Sequence, residues 1–203
     1  MIHYHAKLTP DVTASEQAHS DYIRAISGEC MVLLENDGVL PLASPREVAL
    51  YGNGARATVK GGTGSGEVNS RYSISVEQGL EAAGFTVTTK DWLAAQDAAV
   101  KAENDAYLAD VHARATAMGV PDFFVMFNEH AIPKALAPFR KAAGDLAIYV
   151  LARNSGEGSD RYDAPGDYEL TQDEIDFLTA LGQNYKQVIL LLNLGGVVNA
   201  STL

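Results

Sequence analysis

The sequence predicts an α/β fold: a mostly parallel sheet wrapped by helices. Two observations carry that expectation. Residues 146–152 (LAIYVLA) and 188–192 (VILLL) are apolar runs of strand length without alternation, the pattern of strands buried on both faces of a parallel sheet. Segments of helical periodicity lie before and between such runs, so helix and strand alternate along the chain. At 203 residues there is room for a sizeable core, and we read residues 1–203 as a single domain with an irregular stretch at 1–13.

Composition narrows the function classes. With 47% hydrophobic and 20% charged residues the chain is ordinary globular material. A formal charge of −11 argues against a nucleic-acid backbone as partner, because no phosphate-neutralising patch is offered. The single cysteine, Cys30, excludes an internal disulfide. It sits in the apolar run Cys30-Met31-Val32-Leu33-Leu34 and is expected to be a packed thiol, not a nucleophile. No apolar run reaches the ~20 residues that span a bilayer. The opening MIHYHAKLTPDV has no basic region followed by an apolar one, which points to a cytoplasmic location. His3 and His5 lack a second cluster of ligating residues, so no metal site is expected.

From Ala14 to Glu35 the pattern is helical. Ser15 can cap, Gly28 loosens the middle, and Tyr22, Ile23, Ile26, Cys30, Val32 and Leu33 recur on one side. Asn36-Asp37-Gly38 is a turn, and Pro41 ends regular pairing. A short strand at 47–52 leads into a glycine-rich loop, GNGARATVKGGTGSGEVN, residues 52–69. A phosphate-binding reading of this loop fails on spacing, since no Gly-Lys-Ser/Thr follows and no apolar helix starts directly after it. Residues 75–83 read as a helix closed by Gly84, and 85–89 as a strand. A long helix spans 91–118, with Trp92, Leu93, Val100, Tyr107, Leu108 and Val111 as inward candidates; His112 on it is expected to be structural. Residues 123–127 (FFVMF) suit either a strand or an apolar loop. Glu129-His130 follows without any fixed geometry, and Pro133 and Pro138 bracket a short helical piece to Ala143. Thr171 with Glu174 forms a capping box for a helix through Ile175, Phe177, Leu178 and Leu181.

The chemically dense stretch is 153–161, RNSGEGSDR, directly after the strand at 146–152. Glu157 lies between two glycines, where the backbone can adopt positive φ and approach a ligand closely. Arg153 and Arg161 flank it. In open α/β sheets ligands bind beyond the carboxyl ends of the strands. The loops after strands 47–52, 146–152 and 188–193 are therefore expected on one edge of one sheet.

RNSGEGSDR resembles the signature of the α/β-sandwich domain of family 3 glycoside hydrolases, the β-glucosidase type. Three further stretches are similar to that family, in its order. ECMVLLENDGVLPL (29–42) matches its "EGxVLLKNDGxLPL", with Cys30 replacing a small residue and Glu35 a lysine. The glycine-rich loop matches "GxGxGxxxxKGGxGSGxVN", and the strand from Val188 with Asn193-Leu194-Gly195-Gly196 matches "VVVVLNVGGVID". Together these cover about residues 20–200.

The resemblance implies a three-layer α/β/α sandwich without cofactor. It makes Glu157 the general acid/base, with substrate contacts drawn from Arg56, Lys60, Gly64, Ser65, Arg153 and Ser155. The family is retaining, so a nucleophilic aspartate must lie about 5–5.5 Å from the acid/base. In the family it belongs to a separate (β/α)8 barrel of roughly 250 residues, for which there is no room here. The chain thus reads as a fragment whose final strand is absent, from a parent in which the sandwich precedes the barrel. The expected partners are a β-glucoside or oligosaccharide, the barrel of the parent chain, and further copies of the chain through the bared sheet edge. The competing reading is a non-catalytic sugar-binding or assembly domain.

Overall fold

The computed structural model describes residues 9–62, 66, 68, 70–127, 135–155 and 161–201. The chain falls into two compact units, residues 1–40 and 41–203. No described helix is long and apolar enough to cross a membrane.

The first unit holds helix α1 (Ala14–Ile26) and a short 3-10 turn, Ser27–Cys30. The cap is Thr13, not Ser15. Its hydroxyl accepts from Glu16 N, and the Glu16 carboxylate accepts from Thr13 N, a reciprocal capping box. The helix is also shorter than the periodicity predicts. Ser27 Oγ donates to the Arg24 carbonyl at 2.9 Å, and Ser27-Gly28 tightens the backbone where helix propensity is weakest. Beyond the turn the chain runs irregularly to Leu40. This corrects the expected packed thiol: with no helix face or strand partner to bury it, Cys30 is exposed, as are Met31, Val32, Leu33 and Leu34. The turn at 36–38 forms as expected. Asn36 Oδ1 accepts from Gly38 N and Leu40 N, and Gly38 has φ +103°.

The second unit is the α/β fold. Strands β1 (Glu47–Tyr51), β2 (Thr86–Val87), β3 (Leu146–Arg153) and β4 (Gln187–Leu194) form one sheet in the order β2-β1-β3-β4, and every pairing is parallel. All eight residues of β3 are buried, which explains its unbroken apolar sequence. Strand β4 is equally apolar but half-buried throughout, because it lies at the sheet's end. Strand β2 keeps only two of the five expected residues. Past Val87 the threonines turn to other work: Thr89 Oγ1 donates to the Leu50 carbonyl and accepts from Leu50 N.

Helices α2 (Val76–Ala82), α3 (Lys90–Met118), α4 (Asp122–Phe127) and α5 (Gln172–Asn184) complete the unit. Trp92 on α3 and Phe177 on α5 both pack edge-on against Tyr51, at 5.0 and 5.3 Å, so both helices cover the Tyr51 face of the sheet. Of the inward candidates on α3, Trp92, Leu93 and Val111 are buried, while Leu108 faces out. His112 is exposed as well, with Nδ1 3.2 Å from Asp122 of α4.

Two local expectations are corrected. FFVMF is neither strand nor loop but α4. Gly119 ends α3 at φ +69°, Pro121 permits a new helical start, and Val125 joins the buried cluster of Val111 and Ala115. No helix forms over 135–143 either. That segment is held in an irregular course by side chains. Gln96 bonds Ala135 O and Ala137 N, Trp92 Nε1 donates to Pro138 O, and Tyr51 Oη donates to Arg140 O. With its polar backbone satisfied from outside, it gains nothing from helical bonds. Asn128, Glu129, His130 and Pro133 lie outside the described residues.

Candidate active site

Because β1, β3 and β4 are parallel, the loops leaving their carboxyl ends start from one edge of the sheet, as expected. Side chain to backbone bonds then lash them together. Asn53, two residues past β1, bonds both the N–H and the carbonyl of Ala152 on β3, at 2.8 and 2.9 Å. Asn193 on β4 does the same to Val59 of the glycine-rich loop, at 2.6 and 2.9 Å. Ser155 Oγ donates to the Gly195 carbonyl at 2.7 Å. These ties need close backbone approach, and glycine supplies it. A Cβ on Gly52 (φ +94°) would lie 2.3 Å from the Val150 carbonyl oxygen.

The candidate residues divide within this frame. Glu157, Gly64 and Ser65 lie outside the described residues. Ser155 leads directly into the stretch that carries Glu157 and is anchored to the end of β4. Lys60 is exposed at the loop surface. Arg56 and Arg153 have their guanidinium groups on internal carboxylates. Arg56 Nε and Nη2 bind Glu77 at 2.6 and 3.0 Å, and Nη1 binds Asp97 at 2.7 Å. Lys90 Nζ adds a third cation contact to Glu77 at 2.7 Å. The hydrogen bonds from Arg56, followed by those from Lys90, hold the Glu77 carboxyl down to about 2 despite burial. Glu77 in turn pushes Arg56 and Lys90 up, with Asp97 adding to the first and Glu81 to the second.

Arg153 is buried. Its Nη2 lies 2.7 and 2.6 Å from the two oxygens of Glu174, which also completes the Thr171 capping box of α5. Arg161 Nη1 lies 2.6 Å from the fully buried Asp167. Gly196 leaves space for this guanidinium, since a Cβ there would stand 3.1 Å from Nε. Both arginines that flank Glu157 are thus opposed by internal carboxylates.

Sequence reasoning missed Asn53, Asn193, Glu77 and Asp167. The first two act on backbone groups far away in the chain, and the acids pair with arginines 21 and 6 positions away, so no local pattern marks them. Among the described residues, no three His, Cys, Asp or Glu side chains group as a metal site.

Comparison with known proteins agrees with this arrangement. Residues 31–203 match the family described as "Glycosyl hydrolase family 3 C-terminal domain". The chain is 33% identical to Beta-glucosidase A of Butyrivibrio fibrisolvens over 213 aligned positions, covering 94% of this chain and 24% of that protein. It is 29% identical to a Beta-glucosidase of Ruminococcus albus, covering 86% of this chain and 17% of the relative. The fold superposes on beta-glucosidase 3B from Thermotoga neapolitana, solved with glycerol, with a TM-score of 0.63 and 29% identity, over 90% of this chain and 25% of that one. The chain therefore spans a quarter or less of the length of these relatives. A parallel sheet with its loops tied at one edge, and a match over nearly the whole sequence, place the chain in the glycosyl hydrolase family 3 C-terminal domain family.

Proposed function

We propose that the chain is the acid/base-bearing domain of a retaining β-glucosidase-like hydrolase acting on terminal β-linked glucose or a similar sugar. The observation that carries this reading is the gathering of the β1, β3 and β4 loops at one sheet edge, with Ser155, just before the Glu157 stretch, anchored to Gly195. Glu157 is the general acid/base. A nucleophilic aspartate comes from a barrel domain of the parent, about 5–5.5 Å away in the assembled site. Lys60, Gly64, Ser65 and Ser155 are the proposed sugar contacts. Arg56 and Arg153 contribute by holding their loops on Glu77 and Glu174. With Arg153 and Arg161 already opposed, the ionisation of Glu157 is governed by burial against the barrel and by the nucleophile's charge, both of which raise a carboxyl pKa.

The chain alone should not hydrolyse an aryl β-glucoside, whereas the parent should. In the parent, Glu157→Ala should stall turnover of poor leaving groups and be partly rescued by azide, because the nucleophile survives. Hydrolysis by the purified chain, abolished by Glu157→Ala, would overturn this division of labour. Tight glucose binding by the isolated chain would favour a sugar-binding module instead.

We also propose self-association through β4. It ends the sheet and is only partly buried along its length, so its outer edge offers backbone groups to another strand.

A further inference from the structure

Beneath the tied loops lies a cavity of about 20 Å³ whose lining includes Asn53, Tyr149, Thr171 and Glu174, with Val100 and Leu136 as apolar wall. That volume matches a single water molecule. Tyr149, in the middle of β3, is fully buried, and its hydroxyl has no hydrogen-bond partner among the described residues. A buried hydroxyl left in that condition is destabilising. The neighbours have matching capacity to spare. Glu174 Oε1 accepts from Arg153 Nη2 and retains a second lone pair, and Asn53 Nδ2 donates one of its two hydrogens to Ala152 O. Burial first, and then the negative charge of Glu174, pushes the Tyr149 phenol up, which places hydroxyl and carboxylate in the same electrostatic neighbourhood. The occupant should be neutral, because Arg153 already balances Glu174.

We propose that this cavity is a built-in water site, in which one water accepts from Tyr149 Oη and from the Asn53 amide and donates to Glu174. The water joins the middle of β3, the start of the β1 loop and the first turn of α5. It thereby braces Arg153, the last residue of β3, from below. This site is independent of the proposed glycosidase chemistry, and its test reads no activity.

High-resolution diffraction from the full chain should show a solvent peak about 2.6–3.0 Å from Tyr149 Oη. Tyr149→Phe keeps the ring and removes the hydroxyl. If the water bridges, the variant loses a satisfied network and should melt about 2–6 °C lower. If the hydroxyl is unsatisfied, its removal should be neutral or stabilising. Either a dry cavity or a Tyr149→Phe chain at least as stable as the parent overturns the proposal.

Discussion

Glu77 meets two cationic side chains, Arg56 and Lys90. Its two oxygens take Arg56 in a fork and Lys90 from the side, and its backbone N–H donates to the Ala55 carbonyl. One residue thus binds the loop after β1 to α2 and α3. Asp97, the second partner of Arg56, is more than half exposed and adds little, as exposed pairs do. Glu77→Gln should therefore cost about 3 kcal/mol in urea denaturation, the lower end for a broken buried pair, whereas Asp97→Asn should cost under about 1 kcal/mol. The effect should depend on pH in a stated direction. The folded carboxyl sits at about 2, against 4.5 ordinarily, so folding favours the ionised form. The contribution is complete above pH 4.5 and fades as pH falls towards 2. The stability gap between parent and Glu77→Gln should close over that window. A gap that stays constant from about pH 6 to about pH 2 would show that the lost contact is not ionic.

The loop leaving β1 presses against β3 at Gly52, and there glycine is obligatory for two separate reasons. Gly52 has φ +94°, and a Cβ would meet the Val150 carbonyl oxygen at 2.3 Å. Backbone cannot yield as a side chain tip can, so Gly52→Ala should destabilise by well over about 1 kcal/mol. It should also loosen the Asn53–Ala152 tie, seen as faster amide exchange at Ala152. Gly79 provides the contrast. It lies inside α2, where an added Cβ would meet nothing within 4 Å, and Gly79→Ala should stabilise by about 0.5–1 kcal/mol through helix propensity. Thermal melts of the two variants decide this, and equal shifts would contradict the packing argument.

For the whole molecule, the open side of β4 is the consequential feature. Parallel sheets are ordinarily covered on both faces and blunted at their ends, yet β4 carries Val188, Ile189, Leu190, Leu191 and Leu192 at half-burial along the sheet's end. Sedimentation should show the average mass rising with concentration. A monomer persisting at high concentration would remove self-association from the account.

Local chemistry made several parts of this architecture readable in the sequence. The unbroken apolar runs marked β3 and β4 because a strand buried on both faces has no polar side to reveal. The Thr171–Glu174 spacing marked the start of α5, and Gly84 the end of α2, because caps depend on residues within one turn. Family likeness pointed to the glycine-rich loop and to Glu157. What depends on distant partners stayed hidden. Residues 123–127, read as strand or apolar loop, form a helix whose Val125 meets Val111 and Ala115, and the irregular course of 135–142 is held by Gln96, Trp92 and Tyr51. Arg56 and Arg153 were candidates for sugar contact, and the tertiary structure pairs each with a carboxylate 21 positions away. A charged side chain's role follows from which opposite charge shares its low-dielectric surroundings, and the fold alone decides that.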